Sequence, residues 1–217
     1  MPMDLDKERG LVKQAKSDPE AYSVLFDYYY PQISNYVLRR LDDPEAALDI
    51  VAATFFKAWQ NLPKFKWRAV PFSAWLYRIA GNEIKDYYRK DRHRPLSLDA
   101  LYEANGFEPV SDTDLAADLD KWYDQLKRYN DFQIIKGLLI TLPIKYQEVL
   151  ALRFFEKKSL EEIAAVSGKN LNTVKSLLKR GIEKLRLAYA DQAAKKPAEK
   201  NATFILKARY KGRKKQL

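Results

Sequence analysis

The chain of 217 residues contains no cysteine, so a disulfide framework and a thiolate metal site are both excluded. It holds a single histidine, His93, placed in a run of charges, and only 7 glycines, none in a phosphate-cradling loop. With no convincing pair of carboxylates either, little is left from which to build a catalytic centre, and neither a metal nor a cofactor is expected. No apolar run approaches the length needed to cross a membrane. The first residues, Met-Pro-Met-Asp-Leu-Asp-Lys-Glu-Arg, lack the apolar core of a secretory signal. These absences lead to the expectation of a soluble, cytoplasmic protein that binds rather than catalyses, with no small-molecule substrate.

What is present is positive charge, unevenly spread. The net charge is +10. By segment it is +3 over residues 1–95, −6 over 96–131, +6 over 132–190 and +7 over 191–217. Two basic bodies thus flank an acidic connector, with a basic tail behind them. Such a balance favours a polyanionic partner, although by itself it suits DNA, RNA or an anionic membrane surface.

In the first body, residues 12–95, Asp18-Pro19-Glu20 and Asp43-Pro44-Glu45 repeat one helix start: a capping Asp, then Pro, then an acidic first turn. After the first, Tyr22, Leu25, Phe26 and Tyr29 form an apolar stripe. After the second, Leu48, Val51, Phe55, Ala58 and Trp59 are expected to face the core. Opposite them lie Asp49, Ala53, Phe56 and Gln60. An outward Phe is what a protein-docking face presents, and equally what a neighbouring helix would cover.

The next stretch alternates cations with aromatic rings: Lys64, Phe65, Lys66, Trp67 and Arg68. A loop of this kind can stack an unpaired base while pairing with phosphates, or its rings can serve as satellite core. Pro71 then opens a helix whose core side carries Leu76, Ile79, Ala80, Ile84 and Tyr87. Arg78, Asn82, Lys85, Arg89 and Arg92 run along the other side. Trp75 and Tyr77 add aromatic surface beside this stripe, a combination suited to unstacked nucleic acid.

Residues 96–131, with Gly106, Pro109 and many Asp, read as an acidic flexible linker. In the second body, residues 132–190, Pro143 separates two helices, and Ser159-Leu-Glu-Glu162 forms a capping box. Ile163, Ala164, Gly168, Leu171 and Val174 match a helix-turn-helix, with Asn170 as the second cap. Its second helix turns outward Asn172, Thr173, Lys175, Ser176, Lys179 and Arg180, donors suited to phosphates and base edges in a major groove. Gly181 interrupts that helix and is expected to let it fray or bend. The fold expected is all-α: two small helical domains joined by the acidic linker.

The order of these pieces resembles the sigma factors of bacterial RNA polymerase, specifically the small two-domain extracytoplasmic-function group. Asp49-Ile-Val-Ala-Ala-Thr-Phe-Phe-Lys-Ala-Trp59 is similar to the family's region 2.2, and Phe72 to Asn82 to regions 2.3 and 2.4. Leu142 to Phe155 and Ser159 to Leu185 are similar to region 4. The resemblance implies an initiation factor that docks on core RNA polymerase through the face around Asp49, Ala53, Phe56 and Gln60. It implies that Lys64, Phe65, Lys66, Trp67, Arg68 and Asn82 capture the minus-10 element of promoter DNA, with Arg78, Lys85 and Arg89 on its backbone. Asn172, Thr173, Lys175, Ser176, Lys179 and Arg180 would read the minus-35 duplex. It also implies an anti-sigma factor as partner and a path for the acidic connector through the polymerase. Ala52 and Ala53 depart from the polar or acidic residues usual in the family. A stand-alone helix-turn-helix regulator, or a sigma-like decoy, are the alternative readings of the same residues. The tail, residues 191–217, lies outside the resemblance.

Overall fold

The computed structural model describes residues 3–67, 71–90 and 132–212, with side chains placed up to Asp191 and, in the second body, from Ile135 onward. Arg68, Arg92 and the whole acidic connector fall outside the described residues, as do positions 213–217. All described elements are helical. The first body comprises α1 (Leu5–Gln14), α2 (Pro19–Leu38), α3 (Pro44–Asn61), a 3-10 turn (Leu62–Lys64) and α4 (Phe72–Lys90). The second comprises α5 (Phe132–Thr141), α6 (Ile144–Leu150), a π turn (Ala151–Phe155), α7 (Leu160–Ser167) and α8 (Leu171–Gly212).

The expected helix starts are present. The Asp18 carboxylate accepts the Glu20 amide, and Asp43 accepts those of Glu45 and Ala46. Each removes orphan donors from a first turn in which proline contributes none. Ser159 and Glu162 satisfy one another's amides reciprocally, and the Asn170 side chain accepts the Thr173 amide at 2.7 Å. Gly168 ends α7 with φ of +68°, the left-handed conformation that makes a glycine the favoured residue there. Between α5 and α6, buried Gln147 donates to the carbonyls of Ile140 and Leu142, satisfying a helix end that water does not reach.

Two expectations are corrected. The first body begins before residue 12: α1 packs on α2 and α4, burying Val12 and Glu8. Gly181 neither frays nor ends α8, which runs unbroken through it. A Cβ at Gly181 would stand 3.1 Å from Leu150 Cδ1 and 3.4 Å from Tyr146 Cβ. The glycine is there because α6 crosses α8 at close range, and the packing gained offsets its low helix propensity.

The two bodies do not stand apart. Helix α4 packs against α7, and α2 touches the π turn. Tyr36, Leu76, Tyr77 and Val149 are completely buried in one continuous core that spans both.

Candidate nucleic-acid and protein interfaces

The cation–aromatic loop and the outer side of α4 enclose a cleft of about 670 Å³. Lys64, Phe65, Lys66, Arg78 and Asn82 line it, so five of the expected minus-10 residues meet at one place, with Trp75 as an additional wall. Phe65 is held by ring contacts to Trp75 at 4.7 Å and Phe72 at 5.5 Å. Trp67 leans edge-on to Phe65 at 6.5 Å and is half-buried. Both rings pack on the core, and Phe65 also lines the cleft. Lys16 of the α1–α2 turn donates to the Phe65 carbonyl at 2.7 Å, tethering the loop from below.

Asn82 and Arg78 are exposed on α4. Arg89, also exposed, pairs with Asp86 of its own helix at 3.1 Å. Lys85 is instead engaged across the domain boundary, 2.8 Å from the buried Glu148 of α6. Tyr77, read as stacking surface, is fully buried and donates to Glu156 at 2.8 Å, so it belongs to the contact between bodies. One wall of the cleft, Ala165, comes from α7 of the second body.

Two carboxylates, Glu148 and Glu156, join the bodies at this boundary. Glu156 takes Arg39 at 2.7 Å together with the Tyr77 hydroxyl. Burial raises its pKa above the ordinary range, while the Tyr77 hydrogen bond and Arg39 pull the other way. Glu148 approaches Gly81 so closely that a Cβ there would lie 2.9 Å from its Oε1.

The second surface lies on α3. Asp49, Phe56 and Gln60 are exposed and Ala53 is half-buried, in agreement with their expected outward placement. Leu48 and Trp59, expected in the core, are more than half exposed. The buried positions of α3 are Ala47, Ile50, Val51, Thr54, Phe55 and Ala58, a stripe rotated by about one residue from the expected one. The displaced side chains join Phe56 in an apolar groove of about 440 Å³ with Tyr22, Phe26 and Tyr30 of α2. Beneath it, Tyr22 donates to the Phe55 carbonyl at 2.6 Å, and burial pushes its phenol up to about 12. Exposed apolar surface of this kind is what a protein-docking face presents.

The third surface is α8. Asn172, Lys179 and Arg180 are exposed, and Thr173, Lys175 and Ser176 are half-buried, while Val174 and Leu178 anchor the opposite side. All six expected minus-35 residues therefore share the side of α8 away from its core.

These three surfaces are accompanied by matches along the chain. The Sigma-70 region 2 pattern matches residues 25–94, and the Sigma-70, region 4 pattern matches residues 132–185. The ECF RNA polymerase sigma factor SigW of Bacillus subtilis is 30% identical over 190 residues, spanning 87% of this chain and all of SigW. The chain belongs to the extracytoplasmic-function sigma factors of the sigma-70 family. As such it is an alternative sigma factor that directs promoter-specific transcription. The ECF sigma factor BldN of Streptomyces coelicolor is 27% identical over 187 residues, which are 84% of this chain and 66% of that relative. In architecture the sigma factor is similar to CnrH, solved in complex with the cytosolic domain of CnrY, with a TM-score of 0.60. That likeness is 24% identical and covers 85% of this chain and 97% of the other. The sigma factor RpoE of Bartonella quintana, solved with the anti-sigma factor NepR, has the same fold at a TM-score of 0.54. It is 21% identical, over 76% of this chain and 94% of its own. Among the described residues, no helix is long and apolar enough to cross a membrane.

Proposed function

We propose that this sigma factor divides promoter recognition between its two bodies. Residues 12–95, extended forward by α1, dock on core RNA polymerase through the α3 groove and hold the melted minus-10 strand in the loop–α4 cleft. Residues 132–190 lay α8 in the major groove of the minus-35 element. Residues 96–131 form the acidic linker threading the enzyme, and 191–217 a basic tail. The protein acts in the cytoplasm, on the nucleoid once bound to polymerase, and by binding rather than catalysis. RpoE of Bartonella quintana is complexed with an anti-sigma factor, which supports an anti-sigma factor as a partner here too.

The convergence of Lys64, Phe65, Lys66, Arg78 and Asn82 on one cleft carries this reading. Strand opening needs a site that binds unstacked bases better than duplex, and cations beside aromatic faces provide it. Asn82 is a side chain with both donor and acceptor, able to meet a base edge that pairing no longer occupies. Two modest readers, linked through one large enzyme, then gain affinity when promoter spacing matches both.

The test is transcription in vitro with purified protein, sigma-free core polymerase and genomic DNA of the same host, followed by sequencing of transcript 5′ ends. Discrete starts that share two upstream motifs at fixed spacing are expected. Active core enzyme giving no new starts rejects the reading.

A further inference from the structure

The cation–aromatic loop leaves the core at Phe65 and rejoins it at Phe72, where the two rings meet at 5.5 Å. Ring packing alone fixes side chains and leaves the backbone at each end free to shift. Two hydrogen bonds act on that backbone, one at each end. Lys16 Nζ donates to the Phe65 carbonyl at 2.7 Å, and Glu8 Oε1 accepts the Phe72 amide at 2.8 Å. Both side chains come from α1 and the turn after it, 64 and 49 positions from the residues that they hold. That segment lies ahead of residue 25, where the match to the region 2 pattern begins.

The local sequence makes a firm corner for Lys16. Val12 and Ala15 are buried and seat the end of α1 in the core. The Gln14 carbonyl accepts the amides of Ser17 and Asp18, and the Gln14 side chain donates to the Asp18 carboxylate at 3.0 Å. The two ties differ in what they do for folding. Glu8 is buried, so losing it strands donors that water does not reach. Lys16 is exposed, so water replaces its bond and stability owes it little. What the Lys16 bond sets is where the Phe65 carbonyl stands, and with it Phe65 and Lys66, both of which line the cleft.

We propose that α1 and its turn brace the strand-capturing loop, and that Lys16 is a positioning residue for promoter opening. It acts through the Phe65 carbonyl and does not touch DNA. A loop held in place before the strand arrives avoids the entropy loss of ordering it on binding. The inference rests on the loop–α4 cleft being the site that takes the melted strand.

The experiment uses holoenzyme and a promoter fragment recovered by the transcript mapping above. The probe is a fork of that promoter whose minus-10 nontemplate strand is left single-stranded. Lys16→Met keeps the apolar stem and removes the donor, and Lys16→Arg keeps a donor. Lys13→Met, at an exposed position of α1, removes the same charge away from the loop. Lys16→Met is expected to bind the fork about fivefold more weakly, as for one lost hydrogen bond, with closed-complex affinity on intact duplex unchanged. Its slope of log affinity against log salt should equal that of wild type, and its melting temperature should stay within a few degrees. Lys16→Arg and Lys13→Met should both bind the fork as wild type does. In the free protein, trypsin should cut after Lys66 several times faster in Lys16→Met than in wild type. The proposal is overturned if Lys16→Met leaves fork affinity or the cutting rate unchanged, or if Lys13→Met loses as much. It is equally overturned if Lys16→Arg restores nothing. A slope lower by about 0.7 would make Lys16 a direct contact to one single-strand phosphate and overturn it too. Wild-type holoenzyme that captures the fork alongside any of those results removes this inference and leaves the function standing. Wild-type protein that yields no starts rejects both.

Discussion

Glu8 Oε1 accepts the backbone N–H of Phe72 at 2.8 Å, so that a side chain of α1 caps the first residue of α4 from 64 positions away. The same oxygen accepts the Tyr29 hydroxyl, and the carboxylate is buried. Three helices meet on one acceptor, next to Pro71, which lines the loop–α4 cleft. Removing it in Glu8→Ala strands two buried donors and is expected to cost about 1–3 kcal/mol, read from urea unfolding. Glu8→Gln keeps the amide oxygen and should retain most of that stability.

The same carboxylate predicts a pH dependence. Burial, the dominant influence, raises its pKa above 4.5, despite the opposing hydrogen bonds from Tyr29 and Phe72 and the charge of Lys158. A carboxyl whose folded pKa is raised binds its proton more tightly in the folded state. Its contribution is complete below the unfolded value and is lost as pH rises through the folded one. Wild type should therefore gain on Glu8→Gln as pH falls through the raised folded value toward 4.5. Parallel unfolding midpoints for the two proteins across that range would exclude a raised Glu8.

Phe56 and Trp59 stack at 6.4 Å on the exposed side of α3 and owe little to the fold. Phe56→Ala with Trp59→Ala is expected to weaken core-polymerase binding by about 10- to 100-fold, since aromatic anchors dominate such interfaces. The melting temperature should stay within a few degrees of wild type. A large drop in melting temperature would show that the groove is structural instead.

Gly168 stands at φ of +68°, where a Cβ costs about 1–2 kcal/mol. Gly168→Ala should destabilise the helix-turn-helix by that amount and crowd Arg78, while Gly168→Asn should be milder because Asn tolerates the conformation. Equal effects of the two would mean that crowding against Arg78, not backbone strain, sets the cost. Thermal unfolding distinguishes them.

These cases also show which features local sequence reveals. The caps at Asp18, Asp43, Ser159 and Asn170 were legible because each bond closes within three residues of its start. The outward faces of α4 and α8 were legible because one helical period separates cations from core. Leu48 and Trp59 were misplaced because an apolar side chain signals burial whether its cover is the same chain or another protein. Glu8, Glu148 and Glu156 carry no local pattern at all. Their partners are 64, 63 and 117 residues distant; packing within the first body brings Glu8 to Phe72, and contact between the bodies brings Glu148 to Lys85 and Glu156 to Arg39.

The division of labour between α8 and the loop can be separated by two substitutions. Arg180 is exposed on the reading side of α8, and a long planar donor there suits a guanine edge. Arg180→Ala should cost about 1–3 kcal/mol at the minus-35 element and flatten discrimination among base changes there. Equal loss on every template would assign Arg180 to phosphates only. Trp67 meets no duplex in this scheme, because its ring sits beside the cleft that takes unpaired bases. Trp67→Ala should leave closed-complex affinity nearly unchanged and lower permanganate reactivity of the melted thymines. Opening is where a stacking surface contributes, at about 1–3 kcal/mol per base. Unchanged reactivity in that variant would reduce Trp67 to a brace for Phe65.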